Sequence, residues 1–266
     1  MINKIKILPL IIITVCLFSS CDRESSIHKK NTLILGSNGN YPPYESYNQN
    51  GIIEGFDIDV AKAISQKLEF ALEIKETDFD ALILALNQGK IDILMSGMSI
   101  TPSRQKKIAM IPYQGDPVKQ LSLTFWEKIP PHIKSLQDIA KSDKKVVAVQ
   151  VGTYQADYLN KIKGIETKIL DGTQDLIMDL QYGKSQAILL EPHIADAVKI
   201  KFPKIQVLPI HLPKEEWVLG NGIGIKKNRI KLIESIETAV KELKEEGVIH
   251  KLEQKWFGNK QRVIVN

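Results

Sequence analysis

From residue 33 onward, short apolar runs alternate with stretches in which apolar residues recur at helical spacing. Leu33-Ile34-Leu35 is a compact run ended by Gly36, which predicts a buried strand entering a loop. Val60, Ala61, Ile64 and Leu68 share one face of a helix, and residues 70–74 alternate like a strand. Asp78 can cap a helix that turns Leu82, Ala85 and Leu86 inward and that Gly89 closes. Ile91-Asp92-Ile93-Leu94-Met95 is another buried strand. This β-α-β-α-β order predicts an α/β lobe with a largely parallel sheet.

A second such series begins after Trp126. Val146-Val147-Ala148-Val149 is a strand, and Gly152-Thr153 opens a helix. Residues 165–170 and 187–190 are further strands, with a helix around residues 176–182 between them. Amphipathic helices over residues 230–243 and 248–256 end the chain. Two α/β series and a helical tail predict two lobes, with a ligand where strand C-termini face each other across a cleft.

The N-terminus breaks this pattern. Lys4 and Lys6 precede an apolar run over residues 7–18, then Ser19, Ser20 and Cys21. A basic region, a short apolar core and small residues predict a signal peptide over residues 1–20, hence an exported protein. The run is short for a stable span of ~30 Å of hydrocarbon, and Pro9 interrupts it. Phe18-Ser19-Ser20-Cys21 resembles a lipobox, in which Cys21 becomes the lipidated first residue of the mature chain and anchors it to a membrane. Phe18 stands where leucine is usual. The alternative is ordinary cleavage that leaves Cys21 unmodified. The polar residues 21–31 read as a tether. The other cysteine, Cys16, lies in the leader, so the mature chain has no intrachain disulfide and no cysteine zinc site.

Composition adds exclusions. The net charge of +5 includes the two leader lysines, and the remaining +3 is spread along the chain. With aromatics at only 6%, neither a basic stripe nor a stacking platform for nucleic acid is present. The five histidines show no metal-ligand spacing, and no cofactor motif occurs.

The chemistry concentrates in residues 96–104, SGMSITPSR. Thr101 is a good N-cap and Pro102 suits the first helical position, so a short helix is predicted to start there. Its free N–H groups attract anions, and Arg104 on the first turn can take a carboxylate in a bidentate fork. Gly97 permits close approach to a ligand and Ser99 adds a donor. No glycine-rich run or P-loop lysine accompanies them, so a carboxylate fits better than a phosphate. Taken alone, the segment is equally an ordinary capped helix with a solvent-facing arginine.

Gly55-Phe56-Asp57-Ile58-Asp59-Val60-Ala61-Lys62-Ala63-Ile64 resembles the signature of the polar amino-acid-binding proteins, solute-binding family three. In the same order come Tyr41-Pro42-Pro43-Tyr44-Glu45, that signature, Phe79-Asp80-Ala81-Leu82, Asp92, and Ser99-Ile100-Thr101-Pro102-Ser103-Arg104. Gln150-Val151-Gly152-Thr153 and Gly222-Ile223-Gly224 follow, so the likeness covers residues 32–258. It implies a two-lobed type II periplasmic-binding fold with a ligand cleft between the lobes. Residues 32–119 and 219–266 would form lobe one, and residues 120–218 lobe two. Hinge closure on a free L-amino acid would be read by an ABC permease in the inner membrane.

Carried over residue by residue, Arg104, Thr101 and Ser99 would hold the α-carboxylate. The Gly97 carbonyl, beside Ser96, and Glu191 would receive the α-ammonium. Tyr41 and Phe79 would sandwich the ligand side chain. The turn bearing Thr153 and Tyr154 would offer further donors to the carboxylate. Relatives that bind basic amino acids often carry aspartate at the position of Asn38, so here Glu45 or Gln150 would have to compensate. Arginine is favoured, with glutamine the alternative. A rival reading is a cyclohexadienyl-dehydratase-like enzyme on the same fold. That chemistry needs a general acid in the cleft, and the sequence shows no paired acid or histidine around Glu191.

Overall fold

The computed structural model describes residues 32–115 and 117–258; the leader, the tether and Cys21 lie outside them. β1 (Thr32–Ser37) leads into a three-stranded antiparallel meander of β2 (Asn40–Tyr41), β3 (Glu45–Tyr47) and β4 (Ile53–Glu54). Then come α1 (Phe56–Lys67), β5 (Ala71–Glu76), a 3-10 turn at Phe79–Ala81, α2 (Leu82–Asn87), β6 (Ile93–Leu94), α3 (Pro102–Lys107) and β7 (Ala109–Gln114). The next stretch holds β8 (Gln120–Trp126), α4 (Leu136–Lys141), β9 (Val146–Gln150), α5 (Tyr154–Leu159) and β10 (Glu166–Leu170). It continues through α6 (Thr173–Gln181), β11 (Ala187–Leu190), α7 (Pro192–Lys201) and β12 (Ile205–His211). β13 (Asn221–Ile225), α8 (Ile230–Glu245) and α9 (Val248–Phe257) complete it.

These elements build two lobes around two five-stranded sheets, ordered β5-β1-β6-β13-β7 and β10-β9-β11-β8-β12. α1 forms because Phe56, Ile58, Val60, Ala61 and Ile64 recur at helical spacing, and all are fully buried. They pack with Leu35, Ile93, Ile223 and, from the C-terminal helices, Ile236 and Val240. Leu121, Leu123, Phe125, Val147, Val149 and Leu189 fill part of the second lobe. Gly55 must be glycine: its φ is +149°, and a Cβ there would lie 2.0 Å from the Tyr44 carbonyl oxygen.

The sheets are mixed rather than largely parallel. β13 runs antiparallel to β6 and β7, and β8 antiparallel to β11 and β12. The chain enters β8 from β7 without a helix and β13 from β12 through only a 3-10 turn at Lys214–Glu216, without the α-helical crossover that usually joins parallel neighbours. The two crossings meet at an antiparallel bridge, where the Val118 N–H donates to the Val218 carbonyl over 2.9 Å. Asp78 precedes the 3-10 turn, but its side chain makes no cap bond; its carbonyl accepts the Ala81 N–H instead.

Candidate functional site

After β6 the chain turns through Gly97 at φ +53°, whose N–H donates to Asp57 Oδ2 over 2.7 Å. Ser96 Oγ donates to Glu45 Oε1 over 2.8 Å and accepts the Asn38 N–H over 3.2 Å. Thr101 is extended, and its hydroxyl accepts the Arg104 N–H over 3.2 Å, so α3 starts at Pro102. The cap fixes where Arg104 points. Its guanidinium is buried, not solvent-facing: Nη1 donates to the Ser99 carbonyl (2.7 Å) and Nη2 to the Gly152 carbonyl (3.0 Å). It also lies 5.6 Å from the Phe79 ring centre.

The facing wall comes from the ends of β9 and β11. Thr153 caps α5, with Oγ1 accepting the Ala156 N–H (3.3 Å) and donating to the Gln150 carbonyl (2.8 Å). Tyr154 and Gln155 occupy the first turn, both buried. Gln150 Nε2 donates to the Asp171 carbonyl. Glu191 follows β11 at the N-cap position of α7, in extended conformation, with only 3% exposure. Ser99 Oγ donates to Glu191 Oε1 over 3.1 Å, and Gln155 Nε2 to the same oxygen over 3.4 Å. Arg104–Gly152 and Ser99–Glu191 thus join the strand ends of one sheet to those of the other.

Asn38, Tyr41, Phe79, Ser96, Gly97, Ser99, Arg104, Gln150, Thr153, Tyr154 and Glu191 line one pocket, together with Gln155. They bound a narrow cleft with a cavity volume of only about 10 Å³. Two expected residues stand elsewhere. Thr101 serves α3 as its cap, and Glu45 is fully buried behind Ser96. Gln155 was not among the expected residues; its only sequence signal is a polar side chain on the first turn of a helix opening at the pocket.

Burial dominates the electrostatics. It pushes Glu191 up to about 7, against the Ser99 hydrogen bond and the nearby Arg104 charge. Arg104 is drawn down by burial, with Glu191 opposing. Asp57 also rises to about 7 through burial, resisted by Tyr113 and Gly97. Glu45 is raised by burial and then by Asp57. Glu45, buried and screened from the pocket by Ser96, is a poor partner for a ligand cation. Tyr154 is close enough to Glu191 for that charge to help burial raise its phenol. Among the described residues, Asn38 Oδ1 and Gln155 Oε1 are buried without hydrogen-bond partners, and both residues line the pocket.

One expectation about Glu191 needs correcting. A histidine does stand beside it: His193 Nε2 lies 3.4 Å from Glu191 Oε2. It sits behind the carboxyl and does not line the pocket. Among the described residues, no group of three or more His, Cys, Asp and Glu side chains is placed to hold a metal ion. Chemically, the pocket offers a buried guanidinium and a buried carboxyl on facing walls, with an aromatic surface between, an arrangement suited to a small zwitterion.

Comparison with known proteins points the same way. The profile of the bacterial extracellular solute-binding proteins, family 3, matches residues 33–259. The probable ABC transporter arginine-binding protein ArtJ of Chlamydia trachomatis is 42% identical over 244 residues, covering 91% of this chain and 93% of that one. Among solved structures, a mutant of ArgBP from T. maritima aligns with a TM-score of 0.77 at 32% identity, covering 85% of this chain and 95% of that one. An ancestral arginine-binding protein, solved bound to arginine, gives a TM-score of 0.76 at 32% identity over 87% of this chain and 100% of its own. It has also been solved bound to glutamine.

Proposed function

The chain belongs to the bacterial extracellular solute-binding proteins, family 3, and from that membership we propose that it is the substrate-binding component of an amino-acid ABC importer, with arginine as ligand. The observation that carries this reading is the pairing across the pocket of Arg104, whose fork is held only by carbonyl oxygens, with Glu191. A buried guanidinium without a hydrogen-bonded anion is ready to accept one. The α-carboxylate would replace the carbonyls on Arg104 and add Ser99 and the N–H groups at the start of α5. The α-ammonium would face Glu191 and the Gly97 carbonyl. The side chain would run between Tyr41 and Phe79 toward Asn38 and Gln150. Its guanidinium would gain cation–π attraction of about 1–2 kcal/mol from the rings and would donate a hydrogen bond to Asn38 Oδ1.

Glutamine is the second reading, favoured by one observation: at Asn38 the pocket offers a neutral amide, and Glu45 stays behind Ser96. Its relatives ArtJ and the ancestral arginine-binding protein bear the names of binding proteins, and His193 lies outside the pocket, so we assign no catalytic step. The hinge would lie at the paired crossings near Val118 and Val218, with residues 32–119 and 219–266 as one lobe and 120–218 as the other. We further assign residues 1–20 as a leader, Cys21 as a lipid anchor, and an ABC permease as the partner of the closed form. Loss of palmitate labelling in Cys21→Ser would support the anchor; unchanged labelling would refute it.

The decisive experiment is titration of the mature protein with the twenty amino acids, read by tryptophan fluorescence and thermal shift. Stabilisation should grow as RT ln(1 + [L]/Kd) and be largest for arginine. No stabilisation by any amino acid, or consumption of one, would refute the transport reading.

A further inference from the structure

Glu191 belongs to two surfaces at once. Oε1 faces the pocket, where Ser99 and Gln155 reach it. Oε2 faces the opposite way, toward His193 Nε2 at 3.4 Å. Both residues also line a second groove, which runs past Gly115, Val118 and Gly220 at the crossings. The pocket and this groove are therefore separated at this point by one carboxyl group.

His193 is firmly placed. Its ring packs edge-on against Tyr44 (5.3 Å between centres) and Phe257 (6.3 Å). Its Nε2 is buried with no hydrogen-bond partner among the described residues, so in the tautomer with the proton on Nδ1 a lone pair stands beside Oε2.

We propose that His193 is a positioning residue for Glu191: it holds the neutral carboxyl from behind, and arrival of an α-ammonium group converts that carboxyl to carboxylate with release of a proton into the groove. This rests on the amino-acid reading of the pocket. The step balances simply. The Glu191 O–H bond breaks and its electron pair stays on the carboxylate. The proton passes from Oε2 by way of the imidazole to groove water, and the ligand enters already protonated.

The surroundings fit a neutral resting pair. Burial sets Glu191 near 7 and His193 near 4, so at neutral pH the imidazole is an uncharged acceptor. The charged and titratable groups facing Glu191 are Arg104 from α3, Tyr41 and Tyr44 from the meander, and Tyr154 from α5. All three phenols are held well above their ordinary value, so none ionises near pH 7. On the groove side, Lys244 of α8 and His250 and Glu253 of α9 line the wall. An incoming ammonium supplies the positive charge that lets Glu191 ionise; until then burial favours the neutral carboxyl, with His193 Nε2 3.4 Å behind it.

The test is calorimetry of arginine binding to the mature protein in phosphate and in Tris, whose ionisation enthalpies differ, from pH 6 to 8.5. The wild type should release about half a proton per arginine at pH 7 and close to none at pH 8.5. His193→Gln puts an amide donor against Oε2 at similar reach. It should keep the carboxyl ionised, lower proton release at pH 7 to under about one-tenth, and leave affinity at pH 8.5 within about threefold of wild type. Glu191→Gln should release no proton at any pH. His193→Phe keeps the ring packing and separates a steric role from a polar one: wild-type release in both His193 variants would overturn the proposal. Proton-free binding by the wild type would overturn it while sparing the amino-acid reading. Failure of arginine and glutamine to bind at any pH would sink both.

Discussion

Arg104 on α3 donates through Nη2 to the carbonyl of Gly152 at the turn after β9, 3.0 Å away, with no side chain between them. One arginine thus touches both walls of the pocket before any ligand enters. The group that would hold a carboxylate is also a tie between the lobes. A ligand taking Arg104 must supply the cross-lobe contact it displaces, and an amino acid can do so through its ammonium at Glu191.

Arg104→Ala should therefore weaken every amino acid by a similar factor, since the arginine would touch the group they share. A charge-assisted bidentate bond is worth about 1.5–3 kcal/mol, or about 10- to 150-fold in Kd. Stability of the ligand-free protein should change far less, because the guanidinium's hydrogen bonds among the described residues go to neutral carbonyls and to no carboxylate. Loss confined to one ligand would place the carboxylate elsewhere.

Closure has a separate steric test at Gly172, which precedes α6 in extended conformation that any residue can adopt. A Cβ there would lie 3.4 Å from Asn40 Cβ on the facing lobe. Alanine would just fit, whereas Gly172→Leu would need the space Asn40 occupies. We expect a stability cost below about 1 kcal/mol for the changed cap. Arginine affinity should fall about tenfold or more, with a ligand-bound radius of gyration like that of the free protein. Normal compaction on binding would show that the lobes close elsewhere.

How much of this was legible follows from the range of the forces involved. Thr101, Pro102 and Arg104 were readable because a cap is a local device spanning three residues. Glu45 was misplaced because sequence gives a side chain's type and not its depth; residue Ser96, distant in the chain, stands between it and the pocket. His193 was overlooked beside Glu191 because residues two apart on a helix point away from each other. Glu191, however, is extended ahead of α7, and that break turns the two together. The antiparallel β8 and β13 escaped notice because their direction is set by crossings between lobes, which no local pattern records.

Asn38 offers a test of the side-chain pocket. Its Oδ1 lacks a partner, while its backbone N–H is held by Ser96. Asn38→Asp places a carboxylate at the far end of the pocket with little change in shape. Arginine should bind about tenfold tighter relative to glutamine, from a buried charge pair worth at least about 1.4 kcal/mol. An unchanged ratio in competition titrations would mean that the ligand's side chain points elsewhere, and would move attention to Gln150.

Asp57 links the site's support to pH. It accepts the Gly97 N–H (2.7 Å) and the Tyr113 hydroxyl (2.5 Å) and is wholly buried, with a folded value near 7 against 3.8 when free. A raised acid binds its proton more tightly folded than unfolded, so its contribution to stability falls as pH rises from about 4 to about 7 and is level above that. Glu191 shifts the same way. Carboxyls held low, such as Asp59 and Asp179, lose their contribution only at pH near or below their ordinary values. Between pH 5 and 8 the buried Asp57 and Glu191 outweigh His193, whose value, lowered by burial to about 4, makes stability rise with pH up to about 6.5. The ligand-free protein should melt lower at pH 8 than at pH 5. Asp57→Asn, which keeps an acceptor for the Gly97 N–H, turns an amide donor toward the Tyr113 oxygen and cannot ionise, should remove on the order of 2 kcal/mol of that difference. Thermal unfolding of both proteins across that range decides it: parallel curves would mean that Asp57 stays ionised in the fold, with Tyr113 and Gly97 outweighing its burial.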